Sequence, residues 1–182
     1  MPRDFKIRVE NIVASATLNV VIPLEKIVSK MEGMEYEPEQ FPGLVYRMQQ
    51  PKAAALIFGS GKIVCTGARS TADVKTVFKK VVKIIESIRI KVPKVYKSQI
   101  ENIVASARLD AELNLDEIAF TLENSEYEPE QFPGLVYRME NPKVAFLLFG
   151  SGKVVCTGGR SVNDVKISVE KLYKKLKSIK AM

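Results

Sequence analysis

The sequence predicts an α+β fold made twice: a curved antiparallel sheet of about ten strands with helices on one face. Three observations lead there. Residues 7–91 align with residues 98–182 at a constant offset of 91 without a gap, and 47 of the 85 pairs are identical, so one fold unit is present twice. Within each repeat, short apolar runs of period two are separated by hairpin-length turns. Each repeat then closes on one long stretch with apolar periodicity near 3.6. A lone repeat of this size buries too little surface to be more than marginally stable. Residues 1–91 are therefore read as the first repeat, 92–97 as a short linker and 98–182 as the second repeat, the two halves sharing a core or a continuous sheet.

Phe5–Leu18 reads as the opening strand, with Ile100–Leu109 its counterpart. A short helix follows near Leu24–Met31 and near Leu115–Leu122. Pro23 suits the first turn of one; Asn114 and Glu117 resemble a capping pair in the other. The repeated YEPEQFPG is turn-rich, with a short strand near Tyr36. Its prolines exclude a central strand, and Gly43 and Gly134 permit unusual dihedrals there. LVYRM starts a strand. Ala53–Phe58 and Ile63–Thr66 follow, joined by GSGK, and Val144–Phe149 and Val154–Thr157 repeat them. Ser70 and Ser161 read as N-caps of the long helices. The apolar stripes are Val74, Val77, Phe78, Val81, Val82, Ile85 and Ile88, then Val165, Val169, Leu172, Leu176 and Ile179.

Composition narrows the function. The 182 residues carry 28 Lys and Arg against 21 Asp and Glu, a net charge of +7 that suits either solubility or a polyanionic partner. There is no histidine. Cys65 and Cys156 sit in apolar strand patterns and read as buried thiols, although spacing alone leaves a disulfide between the halves open. No metal site and no cofactor is expected, and an enzyme has no group to work with: GSGK lacks the Gly-rich loop and helix of a nucleotide cradle. With no signal peptide and no apolar run near 20 residues, an intracellular soluble protein without a membrane partner is the expectation.

Strand parity poses the informative problem. Alternation sets Ala54, Leu56 and Phe58 opposite Ala55 and Ile57, and Ala145, Leu147 and Phe149 opposite Phe146 and Leu148. Both faces are apolar, yet two long helices can cover only one. An uncovered apolar sheet face marks a partner surface. A dimer interface, a ligand cavity and a nucleic acid all remain open. Basic residues at the strand ends favour a nucleic acid pressed open along its groove.

These residues carry a resemblance. ENIVAS twice, YEPEQFPGLVYRM twice, and ALIFGSGKIVCTGARS with LLFGSGKVVCTGGRS resemble the conserved core of the TATA-binding protein family, particularly its archaeal forms, over residues 5–182. The resemblance implies a saddle-shaped sheet seated on the minor groove of A·T-rich DNA. This family is itself the reference case for minor-groove wedging, so that mechanism arrives with the resemblance. By motif position, Phe41, Phe58, Phe132 and Phe149 would intercalate. Asn11, Asn102, Thr66 and Thr157 would hydrogen-bond groove-floor acceptors. Val13, Leu56, Val64, Val104, Leu147 and Val155 would form the apolar floor, with Pro42 and Pro133 stiffening the outer loops. Arg47, Lys62, Arg69, Arg138, Lys153 and Arg160 would meet phosphates. The family more often has lysine at positions 69 and 160, so charge is kept while geometry changes.

The resemblance also implies a general transcription initiation factor that recruits transcription factor B around Glu128 and Glu130, and RNA polymerase indirectly. Glu37 and Glu39 are identical counterparts in the first repeat, so the acidic loop alone does not choose an end. Differences such as Phe120, Asn124 and Ser125 must help. An archaeal source, a cytoplasmic, nucleoid-associated location, and self-dimerisation of the DNA-free protein complete the expectation. A protein-interaction scaffold of the same shape is the alternative.

Overall fold

The computed structural model describes residues 3–182. The elements run β1 (Arg8–Thr17), α1 (Leu24–Lys30), β2 (Met34–Glu35), β3 (Leu44–Gln49), β4 (Lys52–Ile57), β5 (Lys62–Ala68) and α2 (Thr71–Ser87). They repeat as β6 (Lys97–Arg108), α3 (Leu115–Thr121), β7 (Ser125–Glu126), β8 (Leu135–Met139), β9 (Val144–Leu148), β10 (Lys153–Gly159) and α4 (Val162–Ser178). The ten strands are ordered β2-β3-β4-β5-β1-β6-β10-β9-β8-β7, the strand count and class expected. By contacts the chain divides into two compact units: Asn11–Glu101, and Asn102–Met182 together with the chain up to Glu10.

In the unit Asn11–Glu101, β3, β4 and β5 form an antiparallel meander and β5 pairs with β1. Helix α2 lies against β4 and β5. The Ser70 hydroxyl accepts the Asp73 N–H at 3.0 Å, supplying the cap that an N-terminal turn lacks. Val74, Val77, Phe78, Val81, Ile84 and Ile85 are buried. The stripe thus includes Ile84, which the sequence reading omitted, while Val82 and Ile88 are only half-buried. The core is completed from the sheet by Ile12, Ala55, Ile57, Ile63 and Cys65, none of them exposed. Pro23 stands at the N-cap of α1 rather than inside its first turn, and caps nothing with its side chain.

The other unit repeats this plan. β8, β9 and β10 form the meander and β10 pairs with β6. Ser161 caps α4 through the Asp164 N–H at 3.0 Å, and Asn114 caps α3 through the Glu117 N–H at 3.1 Å. Val165, Val169, Leu172 and Leu176 are fully buried; Ser168 joins them because its hydroxyl donates to the Asp164 carbonyl at 2.7 Å, one turn back. A lysine on each long helix reaches a hairpin turn. Lys171 Nζ donates to the Asn141 carbonyl at 2.7 Å, and Lys80 Nζ donates to that of Gln50.

The opening strand begins later than expected. Asp4 Oδ1 accepts the Lys6 N–H at 2.8 Å and Lys6 takes φ 52, which breaks extended backbone before Arg8. Phe5 is instead a core residue of the second unit. Its ring packs on Tyr173 with centroids 5.3 Å apart, and its carbonyl accepts the Arg108 N–H at 2.8 Å. The Arg3 guanidinium lies 4.5 Å from the centroid of the same Tyr173 ring.

Candidate nucleic-acid interface

Directly paired residues of an antiparallel sheet project to the same face. In the first unit one row crosses the strands as Val45, Leu56, Val64 and Ser15, and the next as Arg47, Ala54 and Thr66. In the second unit the rows are Val136, Leu147, Val155 and Ser106, then Arg138, Ala145, Thr157 and Val104. Leu56, Val64, Leu147, Val155, Val13 and Val104 are half-buried. The alternate residues Ala55, Ile57, Ile63, Phe146, Leu148 and Val154 have no exposure at all, because they face the helices. Each unit therefore leaves one apolar sheet face without a helix, as strand parity predicts. Sequence reasoning missed Val45 and Val136 on this face, although alternation through LVYRM places them there.

Asn11 and Asn102 lie on β1 and β6 in phase with this face. Register shifts next to each of them: β5 carries an extra residue between Cys65 and Ala68, and β10 one between Thr157 and Gly159. Gly67 and Gly158 absorb these bulges with φ of 92° and 102°, a conformation costly for any side chain. Their N–H groups donate to Asn11 Oδ1 and Asn102 Oδ1, each at 2.7 Å. That contact orients the amide: the oxygen accepts from the bulge, which leaves the NH₂ group on the other side. Thr157 stands beside Asn102, with Oγ1 3.4 Å from the amide nitrogen.

The four phenylalanines come together in two pairs. In the first unit, the Gln40 and Phe41 N–H groups both donate to the Glu37 carbonyl at 2.9 Å, folding the loop so that Phe41 meets Phe58 beyond the end of β4. The rings stand edge to face, centroids 5.8 Å apart at 66°. Phe132 and Phe149 repeat this at 6.0 Å and 68°. Phe41 is 40% and Phe132 44% exposed, high values for large apolar rings in otherwise ordered turns. Pro42 and Pro133 are exposed beside them. Gly43 and Gly134 do not use the conformational freedom that glycine permits, since neither has a positive φ. They matter through space, because the ring edges lie over the missing Cβ.

Charge frames this face. Arg47 and Arg138 belong to its rows; Lys62 and Lys153 follow from Val64 and Val155 by alternation, and all four are exposed. Arg69 and Arg160 are exposed in the turns between the last strand and long helix of each unit. Arg47 also approaches Glu35 at 3.7 Å, with both side chains about two-thirds exposed, so the pair holds it weakly. Arg108, opposite Lys153, is a further basic residue of this face that the sequence reading missed; its counterpart in the first half is Thr17, opposite Lys62. Two carboxylates were missed as well. Glu10 Oε1 accepts from the Ser106 hydroxyl at 2.9 Å, and Glu101 Oε1 from that of Ser15 at 2.7 Å.

Glu128 and Glu130 lie exposed in the loop leading to Phe132, as do Glu37 and Glu39 in the other half. Phe120, on α3, is 91% exposed. Cys65 and Cys156 are free and buried on the helix-facing side. Burial pushes the Cys156 thiol up to about 12; burial and, secondarily, the Asp73 charge push Cys65 up to about 11. Among the described residues no group of His, Cys, Asp and Glu could hold a metal ion, and no helix is long and apolar enough to cross a membrane.

Comparison with known proteins agrees over nearly the whole chain. The family model described as transcription factor TFIID, or TATA-binding protein, matches residues 6–88 and again 97–179. The TATA-box-binding protein of Methanothermobacter thermautotrophicus is 54% identical, covering 95% of this chain and 96% of its own. That of Archaeoglobus fulgidus is 50% identical, covering 99% and 100%. Among solved structures, Methanococcus jannaschii TBP superposes with a TM-score of 0.89 at 48% identity, covering 94% of this chain and 98% of its own. The family is one of transcription factors and not of enzymes. A twice-matched model, close relatives of the same length and a shared fold give one answer: the chain belongs to the TATA-binding protein family.

Proposed function

We propose that this chain is a general transcription initiation factor that binds TATA-type, A·T-rich duplex DNA from the minor groove. The observation that carries this reading is the apolar sheet face that each unit leaves open, bordered by Arg47, Lys62, Arg138 and Lys153. The minor groove of A·T pairs offers only acceptors, adenine N3 and thymine O2. Amides held by the bulge glycines, at Asn11 and Asn102, turn donors toward such acceptors, with Thr66 and Thr157 alongside. A guanine adds an N2 amino group, which would lie against Val13, Leu56, Val64, Val104, Leu147 and Val155 without an acceptor. Selectivity for A·T follows, reinforced by the ease with which TA steps kink.

In this reading Phe41, Phe58, Phe132 and Phe149 wedge between base steps, and Pro42 and Pro133 limit the recoil of the outer loops. Arg47, Lys62, Arg69, Arg138, Lys153 and Arg160 neutralise phosphates. The bound, bent DNA is the platform for transcription factor B, docked around Glu128 and Glu130, and through it for RNA polymerase, within the cytoplasm. In DNA-free protein the exposed apolar face drives self-dimerisation in competition with DNA. A fluorescence bend assay tests the core of this: a TATA duplex labelled at both ends should be bound and sharply bent, and a G·C-substituted duplex should not. Equal binding of the two without a bend would overturn it.

A further inference from the structure

Gly43 and Gly134 stand directly after the exposed Phe-Pro pairs, and each is buried beneath two rings. A Cβ built on Gly43 would lie 2.7 Å from the Phe41 ring edge and 3.0 and 3.1 Å from two atoms of Phe58. On Gly134 it would lie 2.7 Å from Phe132 and 3.0 and 3.2 Å from Phe149. The same three-point contact with two rings is thus built twice. Neither glycine has a positive φ, so the backbone here is open to any residue. What demands glycine is the volume above the Cα. The ring with room to give is the more exposed outer one, while Phe58 and Phe149 are half-buried on backbone anchored by N–H bonds to the Lys62 and Lys153 carbonyls at 2.9 and 3.0 Å.

We infer that Gly43 and Gly134 are positioning residues whose missing side chain seats the outer phenylalanine edge-on against the inner one, so that each pair enters DNA as one preformed double wedge. This rests on the DNA reading above. Two rings locked in contact have already surrendered their rotamer freedom before binding. A methyl group at position 43 separates them: the inner ring, at 3.0–3.1 Å, shifts slightly, while the outer ring, at 2.7 Å, is displaced and becomes a mobile side chain that must be ordered at the moment of insertion. The fold loses little, because an exposed ring absorbs the clash.

A double-mutant cycle tests this in the full chain. Gly43→Ala, Phe41→Ala and the double variant are compared for urea midpoint and for affinity and bend angle on a TATA duplex. Gly43→Ala should leave the urea midpoint within experimental error, weaken binding about tenfold and reduce the bend, a coupling within the range for residues in contact. In the Phe41→Ala background, where only the approach to Phe58 at 3.0–3.1 Å remains, the same substitution should cost far less in affinity and bend. Gly134→Ala with Phe132→Ala should behave alike. Equal losses with and without the Phe41 ring would show that the glycine acts through something else, and a Gly43→Ala protein that bends DNA as the parent does would end the inference outright. A parent chain that fails to bend the TATA duplex overturns the DNA reading itself, and the double wedge falls with it.

Discussion

Asn102 spends its side-chain oxygen on the Gly158 N–H at 2.7 Å, and this sets what Asp in its place would do. Asn102→Asp keeps the acceptor that the bulge needs and so keeps the fold. It replaces the donor by a carboxylate facing acceptor-lined, anionic DNA. Binding to a TATA duplex should weaken by more than about tenfold, as expected for losing a good base-edge contact, with an unchanged urea midpoint. A fluorescence-anisotropy titration checks it. The two thiols make a separate prediction. Their folded pKa values, about 11 and about 12, lie above the ordinary 9.0, so between these values the unfolded chain gives up protons that the folded chain retains. Folding stability contributed by the thiols is complete below pH 9 and is lost as pH rises toward 11–12. The Cys65→Ala, Cys156→Ala double variant should show a shallower decline in urea midpoint between pH 8.5 and 10.5 than the parent. At this scale the sequence was legible where a side chain's type implied its partner, as for the capping serines. The bulge glycines were not legible. Alternation says nothing about where a strand gains a residue, and the reason for Asn11 becomes visible only once the Gly67 N–H is seen to donate to its Oδ1.

The elements themselves follow closely from pattern, because burial on one face imposes a period that propensity only decorates. Both long helices begin at the serines expected, and their stripes are buried apart from Val82 within α2 and Ile88 and Ile179 at the ends. The miss at Ile84 is physical: next to Ile85 it widens the buried arc beyond a single stripe, which one stripe-counting rule excludes. The late start of β1 was hidden for another reason. Phe5 looks like a strand residue by type, and its burial against Tyr173 is a long-range contact that local reading does not contain. The caps allow a clean test. Ser161→Ala removes the acceptor for the Asp164 N–H, and Ser70→Ala that for Asp73. Each should cost about 1 kcal/mol of stability by urea unfolding. Neither should alter DNA affinity once folding is complete, since neither residue lies on the open sheet face.

For the whole molecule the matter is where the net charge of +7 acts. Composition alone does not say on which face of each sheet a charge lies, but strand register does. Arg47 shares a face with Ala54 and Thr66, and Arg138 with Ala145, Thr157 and Val104. Arg108 stands opposite Lys153 where the first half has Thr17 opposite Lys62, so the second half carries one more cation on its open face. Lys75, Lys79, Lys166 and Lys174 are exposed on the helices that cover the opposite side of each sheet. Counterion release distinguishes the two sets, because each phosphate neutralised contributes a slope of about −0.9 to log K against log salt. Arg47→Ala, Arg138→Ala and Arg108→Ala should each weaken binding to a TATA duplex and flatten that slope by close to one such increment. Lys79→Ala and Lys174→Ala should leave the slope unchanged. Because Arg108 has no basic counterpart, its removal should also lessen any preference for one orientation on an asymmetric TATA duplex, which directional cleavage from a tethered probe can read. A slope that falls equally for the helix lysines would place the phosphates on the wrong side of the sheet, and with them the whole assignment of the DNA-binding face.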